Sequence, residues 1–77
     1  IMQWIIRDVP LGANIQKARM NYGLTQEELA VQMQNHGSSM SRSTLANIEA
    51  GTRNIKACDL KILKKILKVD YDDFFKD

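Results

Sequence analysis

Three side chains near the middle of the chain, Arg42, Ser43 and Asn47, carry groups that can read nucleic-acid bases. Arginine offers paired donors to guanine, asparagine pairs a donor and an acceptor with adenine, and a hydroxyl serves several bases. At helical spacing these three share one face with Ala46, while Leu45 and Ile48, three apart, share the other. Ser41 is a good N-cap for such a helix, because its hydroxyl can accept from an otherwise unpaired amide of the first turn. Gly51 is a good residue to close it, because it tolerates the left-handed conformation of a terminated last turn. A helix this short does not hold itself together in water, so other elements must fix it in place.

Those elements can be read from the flanking chain. Leu11, Ile15, Ala18 and Tyr22 recur as the stripe of an amphipathic helix, introduced by Asp8 and Pro10 and ended by Gly23. Thr25 and Glu28 form a capping box that starts a second helix with Leu29, Ala30 and Met33 on its buried face, and Leu24 is placed to staple it to the first. Residues 35–40 have loop chemistry, with Met40 as the apolar plug before the Ser41 cap. After a polar turn at Thr52, Arg53 and Asn54, the pattern Leu60, Ile62, Leu63, Ile66, Leu67 predicts a fourth helix whose lysines face outward as a solvated surface. Asp70 caps a last short helix that ends in Phe74 and Phe75. The expected architecture is all-α, with about five helices in one compact domain over residues 10–77 and a short non-helical arm over residues 1–9.

Composition narrows the function classes. A chain of 77 residues has room for one small core. The single cysteine, Cys58, excludes an internal disulfide; with one distant histidine, His36, it gives no metal site, and a disulfide-free chain fits the cytoplasm. Cys58 is expected to be buried or half-buried and His36 exposed in its loop. Residues 1–6 are apolar but too short to span a membrane and lack the basic lead of a signal peptide, and a chain that begins with Ile is expected to be a fragment or a processed form. The net charge of +2 gives little support for a nucleic-acid partner, because Asp8, Glu27, Glu28 and Glu49 nearly cancel the basic residues around the middle helices. Catalysis is disfavoured: Glu27 and Glu28 are adjacent on a helix and diverge, neither His36 nor Cys58 has a base partner in a motif, and no glycine loop would cradle a phosphate. No cofactor is implied.

The segments Leu24-Thr25-Gln26-Glu27-Glu28-Leu29-Ala30 and Ser41-Arg42-Ser43-Thr44-Leu45-Ala46-Asn47-Ile48-Glu49-Ala50-Gly51 resemble the Cro/repressor (XRE) family of helix-turn-helix regulators. The resemblance implies that residues 25–33 and 41–50 are the two motif helices, the second of which enters the major groove of double-stranded DNA. It implies base contacts from Arg42, Ser43 and Asn47, with Thr44 a further candidate, and phosphate contacts from Thr25 and Gln26 at the helix start and from Arg53 and Asn54 in the loop that follows. It also implies that Arg19 and Glu49 form a structural, partly buried ion pair rather than a DNA contact.

Three features depart from the family pattern. The turn over residues 34–40 is about five residues longer than the tight turn, and packing is the expected role for it. Lys56 stands where a capping hydroxyl is common, and Lys64 where a small apolar residue is usual, so its stem must snorkel outward. The resulting expectation is a homodimeric repressor on an operator, with residues 1–6, Ile62, Ile66, Phe74 and Phe75 weighed equally as dimer surface or monomer core. The alternative is a protein-interaction or antitoxin-like module that uses the same fold with weak or no DNA binding.

Overall fold

The computed structural model describes residues 10–76, so the arm over residues 1–9, with its proposed role, lies outside the described residues. Five helices follow one another: α1 (Leu11–Tyr22), α2 (Gln26–Asn35), α3 (Arg42–Glu49), α4 (Ala57–Leu67) and α5 (Tyr71–Phe74). No strand occurs among the described residues. The predicted helix starts are visible as geometry. The Glu28 amide donates to Thr25 Oγ1 at 3.1 Å while the Thr25 amide donates to Glu28 Oε1 at 2.8 Å, closing the capping box of α2. By contrast, Lys56 precedes α4 with no side-chain cap.

All five helices contribute to one core. Ile15 of α1, Leu29 and Met33 of α2, Leu45 of α3, Leu63 of α4 and Phe74 of α5 are fully buried together. Met40, from the segment between α2 and α3, joins them at 2 % exposure. Helix α3 packs on both α1 and α2, α4 on α2 and α1, and α5 on α1. The last contact has a polar lock: Asn14 Nδ2 donates to the Phe74 and Lys76 carbonyls at 2.8 and 2.7 Å.

Several expectations are corrected here. Tyr22 continues the α1 stripe on paper but lies 44 % exposed, since Gly23 ends the helix where the core has already ended. Its place in the buried stripe is taken by Arg19. Cys58 is exposed, because the core face of α4 begins at Leu60, two residues on and about half a turn round the helix. Of the possible dimer surface, Ile66 and Phe74 belong to the monomer core, whereas Phe75 is exposed and Ile62 half-buried. Lys64 is half-buried and snorkels over the Tyr71 ring, its Nζ 5.3 Å from the centroid. No helix among the described residues is long and apolar enough to cross a membrane.

Candidate nucleic-acid interface

Helix α3 has only eight residues, so both its ends and its back are tied to the rest of the domain. At the start, Ser41 Oγ accepts from the Thr44 amide at 3.1 Å and lies 3.0 Å from Thr44 Oγ1. At the end, Gly51 adopts φ +83°, which allows its amide to reach the Ile48 carbonyl and the Thr52 amide to reach the Asn47 carbonyl, at 3.1 and 3.0 Å. This is a Schellman closure, and it turns the chain sharply away from the helix axis.

The back of α3 is held by more than Leu45 and Ile48. Glu49 is 7 % exposed and meets Arg19 of α1, 8 % exposed, through two bonds: Arg19 Nε to Glu49 Oε2 at 2.7 Å and Nη2 to Oε1 at 3.1 Å. Arg19 Nη1 donates to the Leu24 carbonyl at 2.7 Å, and Gln26 Nε2 donates to Glu49 Oε1 at 3.0 Å. One network therefore joins α1, the start of α2 and the last turn of α3. Among the described residues no buried side-chain polar atom is left without a partner, which is the condition under which a buried ion pair is tolerated. Gly12 completes the junction. A Cβ on Gly12 would overlap the Ile48 carbonyl oxygen and come within 2.8 Å of that of Glu49, so only glycine lets α1 approach the end of α3 this closely.

The front of α3 is different in kind. Arg42, Ser43 and Asn47 are exposed, and no hydrogen bond among the described residues engages their side chains. Ser43 and Asn47, four apart, stand one above the other, with Arg42 at the margin. Three of the other predicted site residues have partners already. Thr44 is half-buried against Ser41, Thr25 is committed to its capping box, and Gln26 is half-buried on Glu49. Arg53 and Asn54 are exposed in the turn after α3. Such a face offers hydrogen-bond donors and acceptors to a partner; it has no group placed for acid–base or nucleophilic chemistry.

The long turn into α3 is built, not loose. Gly37 at φ +93° ends α2 with the Ser38 amide on the Met33 carbonyl at 3.0 Å. Ser38 Oγ donates to Asp59 Oδ1 at 2.8 Å and accepts from the Met40 amide at 3.1 Å, and Gln34 Nε2 donates to the Met40 carbonyl at 2.9 Å. Sequence reasoning did not find Gly12, the Gln26–Glu49 bond or the Ser38–Asp59 bond. A glycine in the first turn of a helix, where it disfavours the helix by roughly 1 kcal/mol relative to alanine, was the one local signal for any of them.

Comparisons with known proteins agree with this geometry. A helix-turn-helix family model matches residues 15–74. The high-resolution crystal structure of the restriction-modification controller protein C.AhdI from Aeromonas hydrophila superposes with a TM-score of 0.74 at 27 % identity, covering 87 % of this chain and 90 % of that one. No curated protein matches the chain in sequence. The satisfied junction behind α3, the free face in front of it and the family match over most of the chain lead to one assignment: this protein belongs to the helix-turn-helix family of Cro/C1 (XRE) type, a family of DNA-binding regulators.

Proposed function

We propose that the protein is a sequence-specific regulator of transcription that binds double-stranded DNA as a homodimer and acts as a repressor by occupying its operator. Helix α3 lies in the major groove, where Arg42, Ser43 and Asn47 meet base edges, with Thr44 at the margin of the readout. Thr25 and Gln26 at the start of α2, and Arg53 and Asn54 after α3, meet the phosphates that set the register. Arg19 and Glu49 serve as a structural brace. The observation that carries this reading is the contrast on α3 itself: every buried polar group behind it is paired, while the three side chains in front have no partner within the described chain. Likeness to a restriction-modification controller protein supports a regulatory role.

A single α3 reads only a few base pairs, so a twofold dimer with its helices about 34 Å apart doubles the readout. Exposed Tyr71 and Phe75 of the C-terminal region are apolar surface available to such a dimer. Selection of bound duplexes from a random pool tests the whole reading: the expected product is a two-part, inverted-repeat site. Recovery of no preferred sequence, with no gel shift at low salt, would move the assignment to a protein-interaction or antitoxin-like module. The near-neutral charge of the motif is what keeps that second reading in play.

A further inference from the structure

Helix α1 is engaged on two flanks. On one, Gly12 and Arg19 meet the last turn of α3. On the other, Asn14 ties α5 to α1, and beside that tie runs a groove of about 430 Å³. Its floor is apolar: Ala18 of α1, with Leu67 and Val69 from the end of α4 and the link to α5. Ala18 and Val69 pack on the core but are only half-buried, so the core is incompletely covered here. Lys17, Asn21 and Asp73 stand along the rim. The Asn21 side chain makes no hydrogen bond among the described residues, and its amide can both donate to and accept from a peptide backbone laid beside it.

The occupant is suggested by what joins the chain at this point. Asn14, at the near end of the groove, lies about one helical turn past Pro10, where residues 1–9 run into α1. An extended segment of that length spans up to about 30 Å, whereas the twelve residues of α1 rise only about 18 Å. Residues 1–6 can therefore run back along α1 and reach the far end of the groove. Their chemistry fits its floor. Ile1, Met2, Trp4, Ile5 and Ile6 are large and apolar, and none of residues 1–6 is charged. Removing such surface from water is the main favourable contribution to folding.

We infer that the groove between α1, the end of α4 and α5 is the docking site of the chain's own residues 1–6, with Trp4 as the principal anchor. The arm completes the core on the flank of α1 remote from α3. It also secures α5, a helix of four residues, beside the Asn14 bonds. The face that carries Arg42, Ser43 and Asn47 is left open. The inference stands apart from the DNA-binding reading and does not depend on it.

The test follows the fluorescence of Trp4, the only tryptophan of the chain. It compares the full chain with Ala18→Glu, which places a carboxylate in the groove floor, and with Val69→Asp, which repeats the change without altering α1. Val31→Glu is the control, since Val31 is an exposed apolar residue of α2 outside the groove. All are measured at temperatures where circular dichroism shows them folded. In the full chain, Trp4 is expected to emit at shorter wavelength than in urea and to resist acrylamide quenching, equally at every protein concentration. Ala18→Glu and Val69→Asp should shift the emission toward that of the chain in urea and raise the quenching; Val31→Glu should change neither. Deletion of residues 1–6 should lower the melting temperature of the full chain by about 5 °C or more but that of Ala18→Glu by much less, because the two changes remove the same contact. Trp4 as open to acrylamide in the folded chain as in urea would overturn the docking. So would a response to Val31→Glu equal to that of the groove variants. Shielding that appears only as concentration rises would overturn it in favour of a second copy as the occupant.

Discussion

The two faces of α3 follow opposite rules. Behind it, Leu45, Ile48 and Glu49 are buried, and the Glu49 carboxylate is shared by Arg19 and Gln26. In front, Arg42, Ser43 and Asn47 are exposed, and their side chains make no hydrogen bond among the described residues. A buried polar group must find its partners within the protein, whereas an exposed one can wait for a ligand. The back of the helix therefore determines where it sits, and the front determines what it meets. The contrast makes a clear demand on substitutions. Changes behind α3 should alter stability first and binding as a consequence; changes in front should alter binding alone.

The largest effect is expected from Arg19→Met. It strands the Glu49 carboxylate, 2 % exposed at its side chain, with Gln26 as its remaining partner, and should lower stability by about 3 kcal/mol. The double variant Arg19→Met/Glu49→Met should recover most of that loss, because a buried ion pair replaced as a unit by apolar groups of similar volume is often neutral. Urea denaturation of the two variants makes the comparison. A single variant as stable as the double would show that the pair does not brace α3.

Gly12→Ala comes next, and here two effects have opposite sign. Alanine in α1 gains up to about 1 kcal/mol of helix propensity over glycine. Its Cβ, however, would press on the Ile48 and Glu49 carbonyl oxygens, and helix backbone cannot yield as a flexible side-chain end can. Overpacking of this kind costs about 1–3 kcal/mol, so the variant should be less stable on balance. Since the contact lies at the end of α3, DNA affinity should fall even at temperatures where the variant is fully folded. A melting temperature equal to or above the wild type would mean that α1 and α3 separate freely, and the back face would lose its rigidity.

In front, Arg42→Ala should leave stability within about 0.5 kcal/mol and weaken specific binding by about 1–3 kcal/mol, with relaxed choice at one base position. Loss of affinity by the same factor on selected and scrambled duplexes would instead make Arg42 a phosphate contact. A large drop in melting temperature would breach the division between the two faces.

The same division explains what was legible in the sequence. Caps and stripes are local: Thr25 with Glu28, Ser41, Gly51, and the Leu60–Leu63–Leu67 spacing all act within a turn or two, and the structure has each of them. The free face of α3 was legible for the same reason, since three residues on one short helix need no distant partner. Behind the helix, Leu45, Ile48 and, through the family resemblance, the Arg19–Glu49 pair were foreseen, but the other long-range bonds were not. Gln26 meets Glu49 across 23 positions, Ser38 meets Asp59 across 21 and Asn14 meets Phe74 across 60, and no local spacing encodes such pairings. Tyr22 was misplaced because the stripe shows which side of a helix faces inward but not how far along it the core extends.

The smallest effect concerns a second ion pair, and it serves as a control for the first. Asp73 meets Lys76 at 3.0 Å on the surface, where both side chains are well exposed. The side-chain bond from Lys76, followed by the backbone bond from the Asp70 amide, holds the Asp73 carboxyl below its ordinary value of 3.8. A carboxylate whose folded pKa is lowered contributes stability that is present above the unfolded value and is lost as pH falls through the folded one. Whatever Asp73 contributes is therefore complete above about pH 4 and disappears in more acidic solution. Because the pair is solvated, salt should screen it, and Lys76→Ala should bring the Asp73 titration, followed by NMR, back up toward 3.8 with hardly any change in melting temperature. The Arg19–Glu49 pair has the same two charges at similar distance but lies out of water, so the penalty for breaking it is set by desolvation and not by screening. If salt weakened both pairs alike in double-variant cycles, burial would not be what distinguishes the two faces of α3.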